Sequence, residues 1–275
     1  MVGKRGLGQL GLLVAALPWA ALLAGAITVS GCATPQAEST QDSVVTEFDE
    51  PEARKRARIR MELAVGYFQQ GKTNIALDEL KQVIAIDPSY ADAYNLRGLI
   101  YMQLNDPRLA EESFRRAMAL SPRDANTMHN LGWLQCQQRQ FEEADRTFEQ
   151  ALAIPLYPER AKTLMARGLC QARDGKPEVA ERTLAKAYEL DAGNPIVGYN
   201  LANLLFARGD TSRAQFYIRR LNNSELANAE SLWLGIKVER KMGDKLAMAQ
   251  LADQLKKRFP RSRETTSLEK GSFDE

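Results

Sequence analysis

Apolar and small residues return along this chain with two periods at once. Within short windows they recur three or four residues apart, which places them on one side of an α-helix. Tyr94, Gly98 and Tyr101 form one such set. Over longer distances the sets themselves recur. Tyr67 and Tyr101, Ala76 and Ala110, Leu80 and Phe114, and Pro88 and Pro122 are each 34 residues apart. Gly175 and Gly209 keep the same spacing, and Gly71 joins them once a two-residue insertion is allowed for.

A 34-residue period of amphipathic helices is that of the tetratricopeptide repeat, a helical hairpin. The first unit is set at 57–90 and the second at 91–124. The third, 125–160, is two residues longer, and 161–194, 195–228 and a degenerate 229–262 follow. In the second unit Gly98 lets the two helices approach closely, Ala110 is its small partner, Phe114 and Ala117 continue the seam, and Pro122 ends the second helix. Leu131, Gly132, Ala144 and Phe148 take these roles in the third unit, Gly168, Ala180 and Leu184 in the fourth, and Leu201, Ala202, Ala214 and Ile218 in the fifth. One hairpin cannot bury its apolar face alone, whereas a stack can. The predicted fold is therefore all-α, a tetratricopeptide-repeat (TPR) superhelical solenoid of about six helical hairpins, with no stretch left for a catalytic domain. Four positions depart from the pattern. Arg97 and Arg167 replace a usual Leu, Ala192 stands where Pro is expected, and Met248 falls at a small position.

The ends read differently. Lys4 and Arg5 precede a stretch from Gly6 to Ala37 without a charge, almost wholly apolar from Leu10 to Val29. A positive start, an apolar run and small residues make an export signal, with an uncleaved membrane helix as the alternative. Val29-Ser30-Gly31-Cys32 resembles the bacterial lipoprotein box, which implies cleavage before Cys32 and acylation of its thiol; Ala33 after it implies sorting to the outer membrane. Residues 1–31 are read as a signal peptide and 32–56 as an acylated Cys and flexible tether. The polar stretch up to about Glu50 spans on the order of 25 Å as a coil. Residues 263–275 are read as a disordered tail.

Composition removes most chemistry. The net charge of +2 argues against a nucleic-acid binder, the single histidine excludes multi-His metal sites, and three cysteines cannot form a four-thiolate zinc site. No cofactor, metal or catalytic residue is expected, and the chain is read as a monomer. Cys136 and Cys170 fall at nearly equivalent places on the first helices of neighbouring units. Helix axes lie about 8–10 Å apart and a disulfide needs Cα atoms within roughly 7 Å, so both are expected to remain buried thiols. His129 is expected to be a groove or structural residue.

A stack of such hairpins offers a concave groove lined by its first helices. Repeat register places Met61, Val65 and Phe68 there, then Leu99 and Met102, His129 and Trp133, Met165 and Leu169, and Tyr199, Asn203 and Phe206. So apolar a strip marks a protein-binding surface, with packing between repeats as the competing reading for each residue. The groove is expected to lack the Lys and Asn cluster that clamps a carboxylate. The basic run Arg54, Lys55, Arg56, Arg58 and Arg60 is read as a solvated face partly offset by Asp49, Glu50 and Glu52, with anionic lipid contact as the alternative.

Three segments are more specific than the repeats. Leu156-Tyr157-Pro158-Glu159-Arg160 lies in the lengthened junction after the third unit. Leu232-Trp233-Leu234-Gly235-Ile236-Lys237 and Leu255-Lys256-Lys257-Arg258-Phe259-Pro260-Arg261-Ser262 belong to the last. Together with the lipoprotein box, these resemble the PilF/PilW family of type IV pilus biogenesis and stability lipoproteins. That resemblance implies a non-enzymatic pilotin. Such a protein is lipid-anchored in the outer membrane facing the periplasm, and its partner is the pilus secretin, whose localisation and multimerisation it promotes. Two rivals are a periplasmic TPR adaptor that recruits cell-wall hydrolases or other envelope proteins, and an enzyme carrying the repeats as an appendage; the want of a non-repeat domain argues against the latter.

Overall fold

The computed structural model describes residues 51–273, so the leader, Cys32 and the tether up to residue 50 lie outside the described residues, as do Asp274 and Glu275. The described residues form thirteen α-helices and no strand. Helices α1 (Glu52–Gln69) and α2 (Thr73–Ile86) make the first hairpin, α3 (Ala91–Gln103) and α4 (Pro107–Leu120) the second, and α5 (Ala125–Gln137) and α6 (Phe141–Ala153) the third. The fourth, fifth and sixth are α7 (Arg160–Arg173) with α8 (Pro177–Leu190), α9 (Pro195–Ala207) with α10 (Thr211–Asn222), and α11 (Ala229–Met242) with α12 (Lys245–Arg258). A last helix, α13 (Arg263–Lys270), packs on α11 and α12 where a seventh hairpin would begin. Each second helix touches the next first helix, and successive first helices touch one another.

Local chemistry sets the breaks. Every hairpin turn carries one residue with positive φ: Gly71, Asn105, Arg139, Gly175, Gly209 and Gly243. Glycine takes this left-handed conformation freely and Asn tolerates it, while Arg139, with φ 62°, bears a cost of about 1 kcal/mol. Asp124, Asn194 and Asn228 cap α5, α9 and α11 by accepting bonds from the first free backbone N–H groups. Helices α2 and α4 stop at Ile86 and Leu120, two residues before Pro88 and Pro122. In the fourth hairpin α8 ends at Leu190 without a following proline, and Asn194 with Pro195 restarts the chain as α9.

The close pairs within hairpins have a constant geometry. A Cβ on Gly98 would meet the Phe114 ring at 2.5 Å, one on Gly132 the Phe148 ring at 3.0 Å, and one on Gly168 the Leu184 Cγ at 2.7 Å. The same relation in the sixth hairpin pairs Gly235 with Leu251 at 3.0 Å. Counting back from Leu251 by the spacing that separates Ala110 from Phe114 puts the small position at Ala247. Met248 then falls one residue beyond it, because Ala202 and Gly235 are 33 residues apart where Gly168 and Ala202 are 34 apart; Met248 packs on the Leu232 and Leu255 cluster.

Two boundaries also need correction. The first helix begins at Glu52, so residues 52–56 belong to α1 and not to the tether; Arg54 anchors them, pairing with Asp87 and lying 4.0 Å over the Tyr90 ring. The stretch 263–273 is a capped helix with an ordered end rather than a disordered tail. Ser262 Oγ accepts the Thr265 N–H at 3.1 Å, and Leu268 and Phe273 join the cluster around Trp233, Ile236 and Leu255. Thr265 and Leu268, a turn apart on α13, and Phe273 beyond its end outweigh a composition that is polar overall.

Candidate functional site

All ten apolar residues assigned to the groove are half-buried. Met61, Val65, Phe68 and Leu99 rest on the core of the first two hairpins, and Met102 on Phe114 and Leu134. Trp133 packs on the cluster of Cys136, Phe148 and Cys170, with the Arg173 guanidinium 5.0 Å over its ring. Met165 lies against Leu184 and Leu201, and Tyr199 and Phe206 against Ala202, Leu205 and Leu234. Leu169 is half-buried as well. All of these side chains but Leu169 thus pack on core clusters while remaining partly exposed. The strip is spread over several core clusters along the stack and does not form one pocket.

His129 is buried and belongs to the framework. Its Nδ1 lies 2.9 Å from Thr163 Oγ1, which lies 3.1 Å from the Tyr157 hydroxyl. Burial, helped by the charge of Lys162, holds the imidazole pKa down to about 4, so it is neutral at pH 7. The Leu-Tyr-Pro-Glu-Arg junction is organised around this chain of bonds. Tyr157 is buried, Arg160 donates from its guanidinium to the Leu152 carbonyl, and Leu156 is left exposed with φ 57°. Burial also raises the Tyr157 pKa, so its hydroxyl stays protonated.

Cys136 and Cys170 are joined in a disulfide with a Cα–Cα distance of 5.8 Å, and the expectation of two free thiols is wrong. The inter-axis distance was the wrong ruler. Cα atoms sit about 2.3 Å from each helix axis, so two that face each other across axes about 10 Å apart come within roughly 5.5 Å. Both cysteines face the neighbouring first helix.

The unusual arginines and three of the five cations of the basic run pair within the chain itself. Arg167 forms a fork on Asp145, 2.8 Å to each carboxylate oxygen, and with Gln171 holds that carboxyl below its usual range. Arg97 donates to Ser113 Oγ at 3.0 Å. Arg54, Arg58 and Arg60 pair with Asp87, Glu62 and Glu79. Those partners come from the first hairpin and the turn after it; Asp49 and Glu50 lie outside the described residues. No group of three His, Cys, Asp or Glu that could hold a metal ion is present among the described residues.

One concavity exceeds what the sequence suggested. A cavity of about 890 Å³ is lined by Asn203 and Phe206 of α9, by Lys237, Arg240 and Lys241 of α11, and by Phe273. An adjoining one of about 210 Å³ is lined by Tyr199, Trp233 and Lys237 together with Glu230, Glu264 and Arg263. The expectation that the groove lacks a cluster of Lys with Asn therefore fails at its C-terminal end. Lys237 and Arg240 are a turn or less apart on α11 and were legible as such, but Phe273 was hidden inside a segment read as disordered.

Tetratricopeptide-repeat families match residues 66–105, 89–156, 129–195 and 171–232. The type IV pilus assembly protein PilF of Pseudomonas aeruginosa is 31% identical over 239 residues, which covers 87% of this chain and 92% of that protein. The solved structure of Pseudomonas aeruginosa PilF superposes with a TM-score of 0.73 at 29% identity, over 81% of this chain and all of that one. The crystal structure of PilW, a widely conserved type IV pilus biogenesis factor, gives 0.69 at 28% identity, over 77% and 97%. Identity of this level along nearly the full length of both chains, on one stack of hairpins, shows that the chain belongs to the PilF/PilW family of TPR proteins.

Proposed function

We propose that this chain is a non-enzymatic assembly factor of the type IV pilus, a lipid-anchored pilotin. It binds the secretin through its concave strip and promotes secretin localisation and multimerisation at the outer membrane. The observation that carries the reading is the similarity to PilF across nine-tenths of that protein's length. Three others support it. The half-buried apolar strip offers contact area along the stack at little further ordering cost, because its side chains are already held. The Cys136–Cys170 disulfide suits an oxidising compartment such as the periplasm. The leader ending in Val29-Ser30-Gly31-Cys32 supplies the anchor. Confinement to the membrane surface raises the effective concentration of the groove toward a client inserted there.

The test is a strain lacking the gene, complemented with the wild type, Trp133→Ala or Cys32→Ser, with envelope proteins run on a gel that separates secretin monomers from multimers. Multimers are expected to disappear in the deletion and return with the wild type. Trp133→Ala, which removes a large aromatic at the middle of the strip, is expected to weaken secretin binding by about 2 kcal/mol, roughly thirtyfold. Cys32→Ser is expected to move the protein out of the outer-membrane fraction. Wild-type multimers in the deletion strain, with altered peptidoglycan cleavage, would transfer the chain to the hydrolase adaptors.

A further inference from the structure

The 890 Å³ cavity at the C-terminal end of the concave face has a chemistry that the apolar strip does not share. Four cations line it and no carboxylate does. Arg208 is engaged by Glu181 and Asp210. None of Lys237, Arg240 and Lys241 forms an ion pair with a carboxylate among the described residues, although Glu230 and Glu264 share the lining of the adjoining cavity with Lys237. The partial negative charge at the end of α11 accounts for Arg240 and Lys241, which stand in its last turn. It does not account for Lys237 a turn earlier, nor for a lining without acid in a chain that has 35 acidic residues.

The same cavity has two apolar walls. Phe206 stands on α9, and Phe273 is held in place by stacking on Trp233 at 5.2 Å and by the Arg240 guanidinium 4.0 Å over its ring. Asn203 is exposed beside them, with an amide that can both donate to and accept from a main chain. Cations, aromatic walls and one amide in a single concavity are complementary to a polypeptide that has carboxylates and a large apolar side chain close together. A polynucleotide needs a longer basic track than one cavity.

We propose that the cavity between α9, α11 and Phe273 binds an acidic peptide segment bearing an aromatic or other large apolar side chain. The inference is independent of which pilus component the apolar strip engages. It is tested with the full-length protein in neutral detergent and a fluorescein-labelled decapeptide of Asp and Glu around a central Phe, read by fluorescence anisotropy. Binding is expected to weaken as salt is raised, to vanish when Lys replaces the acids, and to fall several-fold when Ser replaces the central Phe. Lys237→Glu with Lys241→Glu is expected to lower affinity about tenfold or more, and Lys237→Gln with Lys241→Gln to lower it less. Lys186→Glu, exposed on α8, is expected to leave it unchanged. The inference is overturned if the Lys-rich peptide binds as tightly, if neither lysine pair changes the affinity, or if a single-stranded oligonucleotide or vesicles of anionic lipid displace the peptide at lower concentration than unlabelled peptide does. Loss of peptide binding with normal secretin multimers would separate this site from the pilotin reading.

Discussion

At the scale of single residues, the chain's only histidine acts as a reporter. His129 is neutral in the folded protein because burial holds its pKa near 4, whereas an unfolded chain binds a proton there below about pH 6.5. Between those values the unfolded state carries more protons, so stability rises with pH and is lost as pH falls. From pH 7 to pH 5 the expected loss is about 2 kcal/mol. No second histidine contributes in this window; Asp92, whose carboxyl is raised by burial and by Asp124, acts with the opposite sign and loses stabilisation as pH rises. Denaturant melts of the purified protein should therefore show the slope, and His129→Gln should flatten it. A wild-type stability that is level between pH 7 and pH 5 would mean that His129 is solvated, and that the bond to Thr163 does not persist in solution. From sequence the ring could be either a groove or a structural residue, and its partners were not legible. Thr163 and Tyr157 lie in the following repeat and the junction before it, and only the stacking of repeats brings them to the ring.

At the scale of elements, period alone located the hairpins, since a 34-residue spacing of small and aromatic residues leaves little freedom in where one helix must approach the next. The rings that fill Gly98 and Gly132 come from Phe114 and Phe148, both visible in the repeat. What period could not supply is distance between neighbouring first helices, and the disulfide was missed for that reason. Cys136–Cys170 closes a sequence separation of 34, one repeat, and ties α5 to α7 beside Trp133. Chain-entropy arguments give such a link a stabilisation of about 4 kcal/mol. In a stack where each repeat holds mainly its neighbours, the loss should stay local. Reduction, or Cys136→Ala with Cys170→Ala, is expected to speed amide exchange in α5 to α8 while α1 and α2 keep their protection. Equal loss along the whole stack would show that the solenoid unfolds as one unit and that the disulfide stabilises all of it. Peptide mapping that recovers alkylated Cys136 and Cys170 from the unreduced protein would remove the link itself.

At the scale of the whole molecule, the question is how a stack ends. An open solenoid exposes the apolar face of its last hairpin unless something covers it. The sequence placed six hairpins and assigned everything after Ser262 to solvent, because only Thr265, Leu268 and Phe273 in that stretch point to a packed face. Helix α13 takes the place of a seventh first helix, with Thr265 buried and Leu268 beside the Trp233 and Leu255 cluster. Phe273 continues from it to stack on Trp233 and to close one side of the cationic cavity. The cap therefore carries two roles that can be separated. A chain ending at Ser262 should lose protection in α11 and α12, where Trp233 and Leu255 become open to water, while α3 to α6 exchange as before. Phe273→Ala in the full chain should leave Leu268 and Thr265 in place, keep α11 and α12 protected, and reduce acidic-peptide binding by removing one wall of the cavity. If the truncated chain keeps α11 and α12 fully protected, α13 does not act as the cap, and the sixth hairpin holds its own face by packing on α10.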